Sequence, residues 1–179
     1  MRAPVFIAWR ERDRKYLALT LVLALTLGLL VGTLYIVFTT VRVDGDSMAP
    51  ALLDEDRVLV TKGYPHPRRG DVVSLTLLDS GERVGVLKRV IALGGDTVTM
   101  LGDVAYVNGE RSAADPDTTF EARGPESEPV IVPADAVFVL GDNRAISFDS
   151  RIVGPIPLAD VQGRVAAVIL PLGRFHVID

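Results

Sequence analysis

Val84-Gly85-Val86-Leu87-Lys88-Arg89-Val90-Ile91-Ala92-Leu93 is the stretch on which the fold turns. It is aliphatic and rich in β-branched residues, with no helical stripe, and therefore reads as a strand. Two cations stand inside it. Alternation sets Val86, Lys88 and Val90 on one face and Leu87, Arg89 and Ile91 on the other, so one cation must face something apolar or something paired. From the strand alone, an edge position whose long side chains reach water is the plainer reading.

Working outward, Arg57 to Thr61, Asp71 to Leu77, Thr97 to Met100 and Val104 to Val107 repeat the short period-two pattern, and Val130 to Val132, Ala136 to Leu140 and Val161 to Pro171 resume it. Leu101-Gly102-Asp103 and Asn108-Gly109 supply turn residues around a hairpin. Ala113 to Pro129 is polar, carries three prolines and reads as an exposed loop. After residue 40 no apolar helical stripe is sustained, which leaves room for one turn after Ser47 and another near Leu158-Ala159-Asp160. The expected class is mainly β, an antiparallel β-sheet domain behind one N-terminal helix.

That helix comes from Leu17 to Phe38, 22 residues without a charge. At 1.5 Å per residue it would span roughly 33 Å, enough for a hydrocarbon core of about 30 Å. A cleavable leader has an apolar run of about 7–15 residues before a small-x-small site, whereas this run is longer and ends in Thr39-Thr40-Val41-Arg42-Val43. The expected organisation is a basic cytoplasmic segment over residues 1–15, an uncleaved anchor in the lipid bilayer over 16–40, and an extracytoplasmic domain over 41–179. Arg2, Arg10, Arg12, Arg14 and Lys15 precede the run and only Arg42 follows closely, which keeps the N-terminus inside. Trp9, Tyr16 and Tyr35 suit the interfaces.

The 179 residues include 19 Lys plus Arg, 23 Asp plus Glu, two histidines and no cysteine. Disulfides, thiolate metal sites and cysteine nucleophiles are thereby excluded, and no metal or cofactor is expected. Residues 1–38 hold five basic and two acidic side chains, so the remainder carries 14 against 21, a net charge of −7. Such a domain is a poor partner for nucleic acid.

Three segments hold candidate chemistry. Gly45-Asp46-Ser47-Met48-Ala49-Pro50 offers a serine in a tight turn; Gly45 permits close backbone approach, and amides around Ser47 could face a developing oxyanion. A serine in such a turn is also an ordinary turn or cap residue. The usual histidine partner is hard to supply, because His66 lies in a proline loop and His176 three positions before residue 179. Lys88, in its apolar strand, is the alternative base. Asp142-Asn143-Arg144-Ala145-Ile146-Ser147-Phe148-Asp149-Ser150-Arg151 alternates charges densely after an apolar strand. Asp142 with Arg144, and Asp149 with Arg151, are candidate pairs bracing a site, with Ser147 free to bond a lysine amine.

Four blocks taken in order resemble the bacterial type I signal peptidases: Gly45 to Pro50 with Leu52, Arg69-Gly70-Asp71-Val72-Val73, Lys88 to Asp96, and Gly141-Asp142-Asn143-Arg144 with Ser147, Asp149, Ser150 and Arg151. The resemblance implies a membrane-bound serine endopeptidase that removes signal peptides from secreted preproteins after a small-x-small motif. It implies Ser47 as nucleophile, Lys88 as general base and Ser147 as the residue orienting the lysine. Asp142, Arg144, Asp149 and Arg151 would support the site, backbone amides at Ser47 and Gly45 would hold the oxyanion, and Val43, Met48 and Leu87 would line shallow substrate pockets. Gly45 stands where some members carry a serine hydroxyl, so only backbone donation carries over there. Two other readings remain open at this stage: a self-cleaving Ser-Lys protease, and a tethered, non-catalytic β-domain binding extracytoplasmic partners.

Overall fold

The computed structural model describes residues 5–79, 81–115 and 124–178, and divides the chain into an N-terminal helix and a β unit beginning at Phe38. Helix α1 spans Val5–Val37. Its stretch Asp13–Val37 has a mean hydropathy of 2.4 with none of it buried. A core helix of a soluble protein would be covered, whereas this one offers apolar side chains to its surroundings over about 37 Å, the property of a membrane anchor.

Among the described residues the β unit holds twelve strands: β1 (Phe38–Arg42), β2 (Arg57–Lys62), β3 (Val72–Asp79), β4 (Glu82–Leu93), β5 (Thr97–Leu101), β6 (Val104–Val107), β7 (Glu110–Arg111), β8 (Val130–Ile131), β9 (Ala136–Leu140), β10 (Ile156–Pro157), β11 (Val161–Leu170) and β12 (His176–Val177). Eight form a sheet in the order β1-β2-β11-β3-β4-β9-β10, with β12 on β11, and four form a smaller one in the order β7-β6-β5-β8. All pairings are antiparallel. Helix is scarce, as expected. One turn, α2 (Ser150–Val153), escaped the sequence reading, and Leu158–Asp160 and Leu172–Arg174 are 3-10 turns. Ser47 begins hydrogen-bonded turns and no helix.

Hydropathy runs the anchor on through residues 38–40, whereas the structure has these residues in β1. Phe38–Arg42 pairs in register with Thr61 through Arg57. Thr39, Thr40 and Val41 are β-branched, and the β2 edge gives their backbone a ladder that hydropathy cannot see. The hairpin reading holds: Leu101 pairs with Val104, and Asn108 (φ 55°) and Gly109 (φ 85°) make the next reversal with the positive angles such a turn demands. Of the predicted loop 113–129, residues 116–123 lie outside the described ones. Ser127 at its far end is tied to Met100, its amide on the Met100 carbonyl at 2.8 Å.

β4 is an edge strand over only part of its length. Residues 82–89 pair with β3 and 89–93 with β9, so the first half keeps one open edge, while the second half is buried on both faces and loses its alternation. Ile91 packs with Phe138 and Leu140 beneath the small sheet, Val90 with Val137 and Val139 on the opposite face, and Leu87 with Met48 and Leu52. Each such buried aliphatic or aromatic side chain is worth about 1.5–3 kcal/mol relative to exposure.

Candidate active site

Ser47 is presented by the link between β1 and β2. Gly45 turns the chain at φ 81°, the Ala49 amide bonds the Asp46 carbonyl at 3.1 Å, and the Leu52 amide bonds Met48 at 2.9 Å. Met48 and Leu52, wholly buried, anchor this turn in the core, leaving Ser47 half-buried at its crest. Lys88, opposite Val73 in the β3–β4 ladder, is 2% exposed. Its Nζ donates to Ser47 Oγ at 2.9 Å, bringing together residues 41 positions apart. Burial holds the lysine amine below its ordinary pKa, against the opposing pull of Asp149 and Asp142.

The segment after β9 closes over this pair. The Asn143 amide donates to the Ser47 carbonyl at 3.1 Å. A side chain at Gly141 would collide with Ser147 Oγ and the Ser47 carbonyl, so only glycine allows the two loops to approach. The four predicted supporting residues are all buried or nearly so, with one pairing corrected. Asp142 takes a bidentate bond from Arg89 (2.8 and 2.7 Å), not from Arg144. Arg144 reaches Asp115 at 2.6 Å, both side chains 1% exposed, and also the carbonyls of Gly141 and Asp103. Asp142 and Arg144 are two positions apart, but each is taken by a partner from another segment of the chain. Asp149 and Arg151 do pair (2.9 and 3.0 Å), and Arg151 also bonds the Arg144 carbonyl at 2.7 Å. Burial alone would raise the Asp149 pKa, but Arg151 and the Gly141 amide hold it low.

Two expectations are revised. Ser147 Oγ is buried beside the site and makes no hydrogen bond to Lys88 in this arrangement. The Gly45 amide, expected to face an oxyanion, is engaged by Asp54 Oδ1 at 2.9 Å. His66 and His176 are both exposed.

A groove of about 210 Å³ opens at Ser47, and Val43, Met48 and Leu87 all line it. Val41, Gly85, Val86, Ser74 and Gln162 also contribute. Gly85 and Val86 were readable as neighbours of Leu87. Ser74 and Gln162 were not, because they enter only through strand pairing. From Glu82 to Lys88, β4 pairs with β3 alone among the described residues, so its groove-side backbone edge is open. No group of three or more potential metal ligands occurs among the described residues.

The arrangement resembles a peptidase site, and the comparisons with known proteins agree. The pattern of the family described as signal peptidase, peptidase S26, matches residues 14–170. Signal peptidase I S of Bacillus subtilis is 38% identical over 146 residues, 75% of this chain and 76% of that protein. Signal peptidase I P of Bacillus subtilis subsp. natto is 34% identical over 171 residues, covering 87% and 89%. A crystal structure of a signal peptidase I from Enterococcus faecalis V583 is 31% identical, with a TM-score of 0.44 over 55% of this chain and 96% of that one. A family match over most of the sequence, joined to relatives above 30% identity along comparable lengths, places this chain in the signal peptidase family of serine peptidases.

Proposed function

We propose that the chain removes signal peptides from secretory preproteins, cutting after a small-x-small motif by a Ser47/Lys88 dyad. The observation that carries this reading is the 2.9 Å contact between a buried lysine amine and a half-buried serine hydroxyl at the end of an apolar groove. An ordinary lysine near pKa 10.4 is about 0.04% neutral at pH 7, so the burial that lowers Lys88 makes a usable base. Neutral Lys88 takes the Ser47 proton as Oγ bonds to the scissile carbonyl carbon, and the Ser47 amide receives the developing oxyanion. Collapse expels the amine, which leaves with the proton from Lys88. Water then gives a proton to Lys88, attacks the ester and restores the Ser47 hydroxyl as the signal peptide departs.

The extended substrate adds a strand to the open length of β4, its small side chains entering the shallow pockets at Val43, Met48 and Leu87. Asp142, Arg144, Asp149 and Arg151 keep the covering loop fixed, and Ser147 orients the lysine once a substrate or water completes its bonding. Residues 1–15 are cytoplasmic, residues 16–37 cross the bilayer and residues 38–179 are extracytoplasmic. Confinement of enzyme and signal helix to one membrane raises their effective concentration.

The test is cleavage of a synthetic preprotein peptide by the full chain in detergent. Wild type cuts one bond, after the small-x-small motif, and Ser47→Ala does not. Equal cleavage by Ser47→Ala would overturn the mechanism.

A further inference from the structure

We infer that Ile146 is a specificity-determining residue on the leaving-group side, meeting the first residue after the cleaved bond and favouring an apolar side chain there. The inference rests on the endopeptidase reading above and deepens it.

Direction along β4 supplies the argument. Gly85, Val86 and Leu87 line the groove, Lys88 follows at the serine, and Arg89 next grips Asp142 of the covering loop. A peptide lying along this strand with its acyl half in the groove therefore passes, beyond Ser47, toward the loop that begins at Asp142. The groove takes none of its lining from that loop. The two sides of the serine are built from different segments.

Ile146 is the apolar side chain which that loop holds out, 61% exposed and next to buried Ser147. A lone exposed isoleucine is ordinary on a protein surface. This one sits on a fixed support: its amide bonds the Asn143 carbonyl at 3.4 Å, the Asn143 amide bonds Ser47, and Arg151 ties the carbonyl of Arg144. An apolar group held rigidly one turn from the nucleophile loses little freedom when a substrate side chain covers it.

The experiment uses two synthetic peptides identical except for Gly or Leu after the cleaved bond, and reads the ratio of their kcat/KM values. In wild type the Leu peptide should be favoured by about fivefold, below the tenfold or more that an enclosed apolar pocket gives. Ile146→Ala should bring the ratio to about one, and Ile146→Leu should restore it. Ile152→Ala, equally exposed on α2, should leave the ratio where it was. A ratio unmoved in Ile146→Ala, or an equal loss for both peptides, would overturn the assignment. Cleavage of neither peptide by wild type would instead overturn the endopeptidase reading, and this inference with it.

Discussion

Lys88 and Arg144 are buried to nearly the same degree, 2% and 4% exposed, yet their surroundings treat the two charges in opposite ways. Arg144 meets the Asp115 carboxylate and two backbone carbonyls. Lys88 meets a neutral hydroxyl, and the acids nearest it, Asp142 and Asp149, are occupied by Arg89 and Arg151. A buried cation given a carboxylate keeps its proton and serves as a strut, whereas one given only a hydroxyl is pushed toward neutrality. The arginine pairs around the site thus do more than brace it. They take up the negative charge that would otherwise keep Lys88 protonated.

The largest effect that would test this contrast is on turnover. Lys88→Met should lower peptide cleavage by about 10⁴-fold or more. Lys88→Arg should be as inactive, because a guanidinium cannot accept the serine proton. Wild-type cleavage should rise with pH through an ionisation below that of free lysine, and His66→Ala and His176→Ala should retain the profile. Substantial activity in folded Lys88→Arg would remove Lys88 as the base.

On the strut side, Arg144→Met leaves Asp115 buried and unpaired, and should cost about 3–5 kcal/mol in denaturant unfolding of the β unit. The double change Arg144→Met with Asp115→Leu should recover most of that loss. Equal damage from single and double variants would show that shape, and not charge, is what the pair supplies.

A smaller effect runs the other way. Lys88→Met should raise stability at neutral pH by about 1 kcal/mol, since it removes an uncompensated cation. The sign follows from proton binding: between the depressed Lys88 value and about 10.4 the unfolded chain binds more protons than the folded one, so wild-type stability climbs with pH in that window. The advantage of the variant should therefore shrink toward about pH 10.4 and vanish above it. Asp149, whose pKa is also lowered on folding, has the same sign of dependence in the acid range. Its stabilisation is complete above the ordinary carboxylate range and is lost as pH falls through its lowered value.

The smallest effect belongs to Arg42 and Glu55, paired with both side chains more than half exposed. Glu55→Gln should leave the unfolding midpoint unchanged at 0.15 M salt, as expected where water screens the charge. A clear shift would mean that exposure is a poor guide to which cations matter.

What the sequence revealed and what it hid divide along the same physical line. Strands β2 to β6, β9 and β11 announced themselves by alternation or by aliphatic runs, because burial on one or two faces writes itself into neighbouring residues. Ser47 and Lys88 were legible as odd polar residues in constrained surroundings. The partners of the arginines were not, since Arg89 and Asp142 are 53 positions apart and Arg144 and Asp115 are 29 apart. Only strand order brings them together. β1 was hidden for another reason: hydropathy runs on smoothly across Val37 and Phe38, although the backbone changes there from satisfying itself to pairing with a neighbour.

The open length of β4 carries a consequence for life in a crowded membrane. Unpaired strand edges are where sheets of different molecules join, and most proteins shield them with a covering segment or a twist. Here the edge beside the groove must stay bare, because it is where a substrate strand would enter. Protection has to come from what flanks it: Glu82 and Arg83 at one end, Arg42 and Asp44 at the mouth, all exposed and all charged. A transient peptide can pass these charges and leave after cleavage. A second copy of the domain would have to bring its own charged ends, with their hydration, against these.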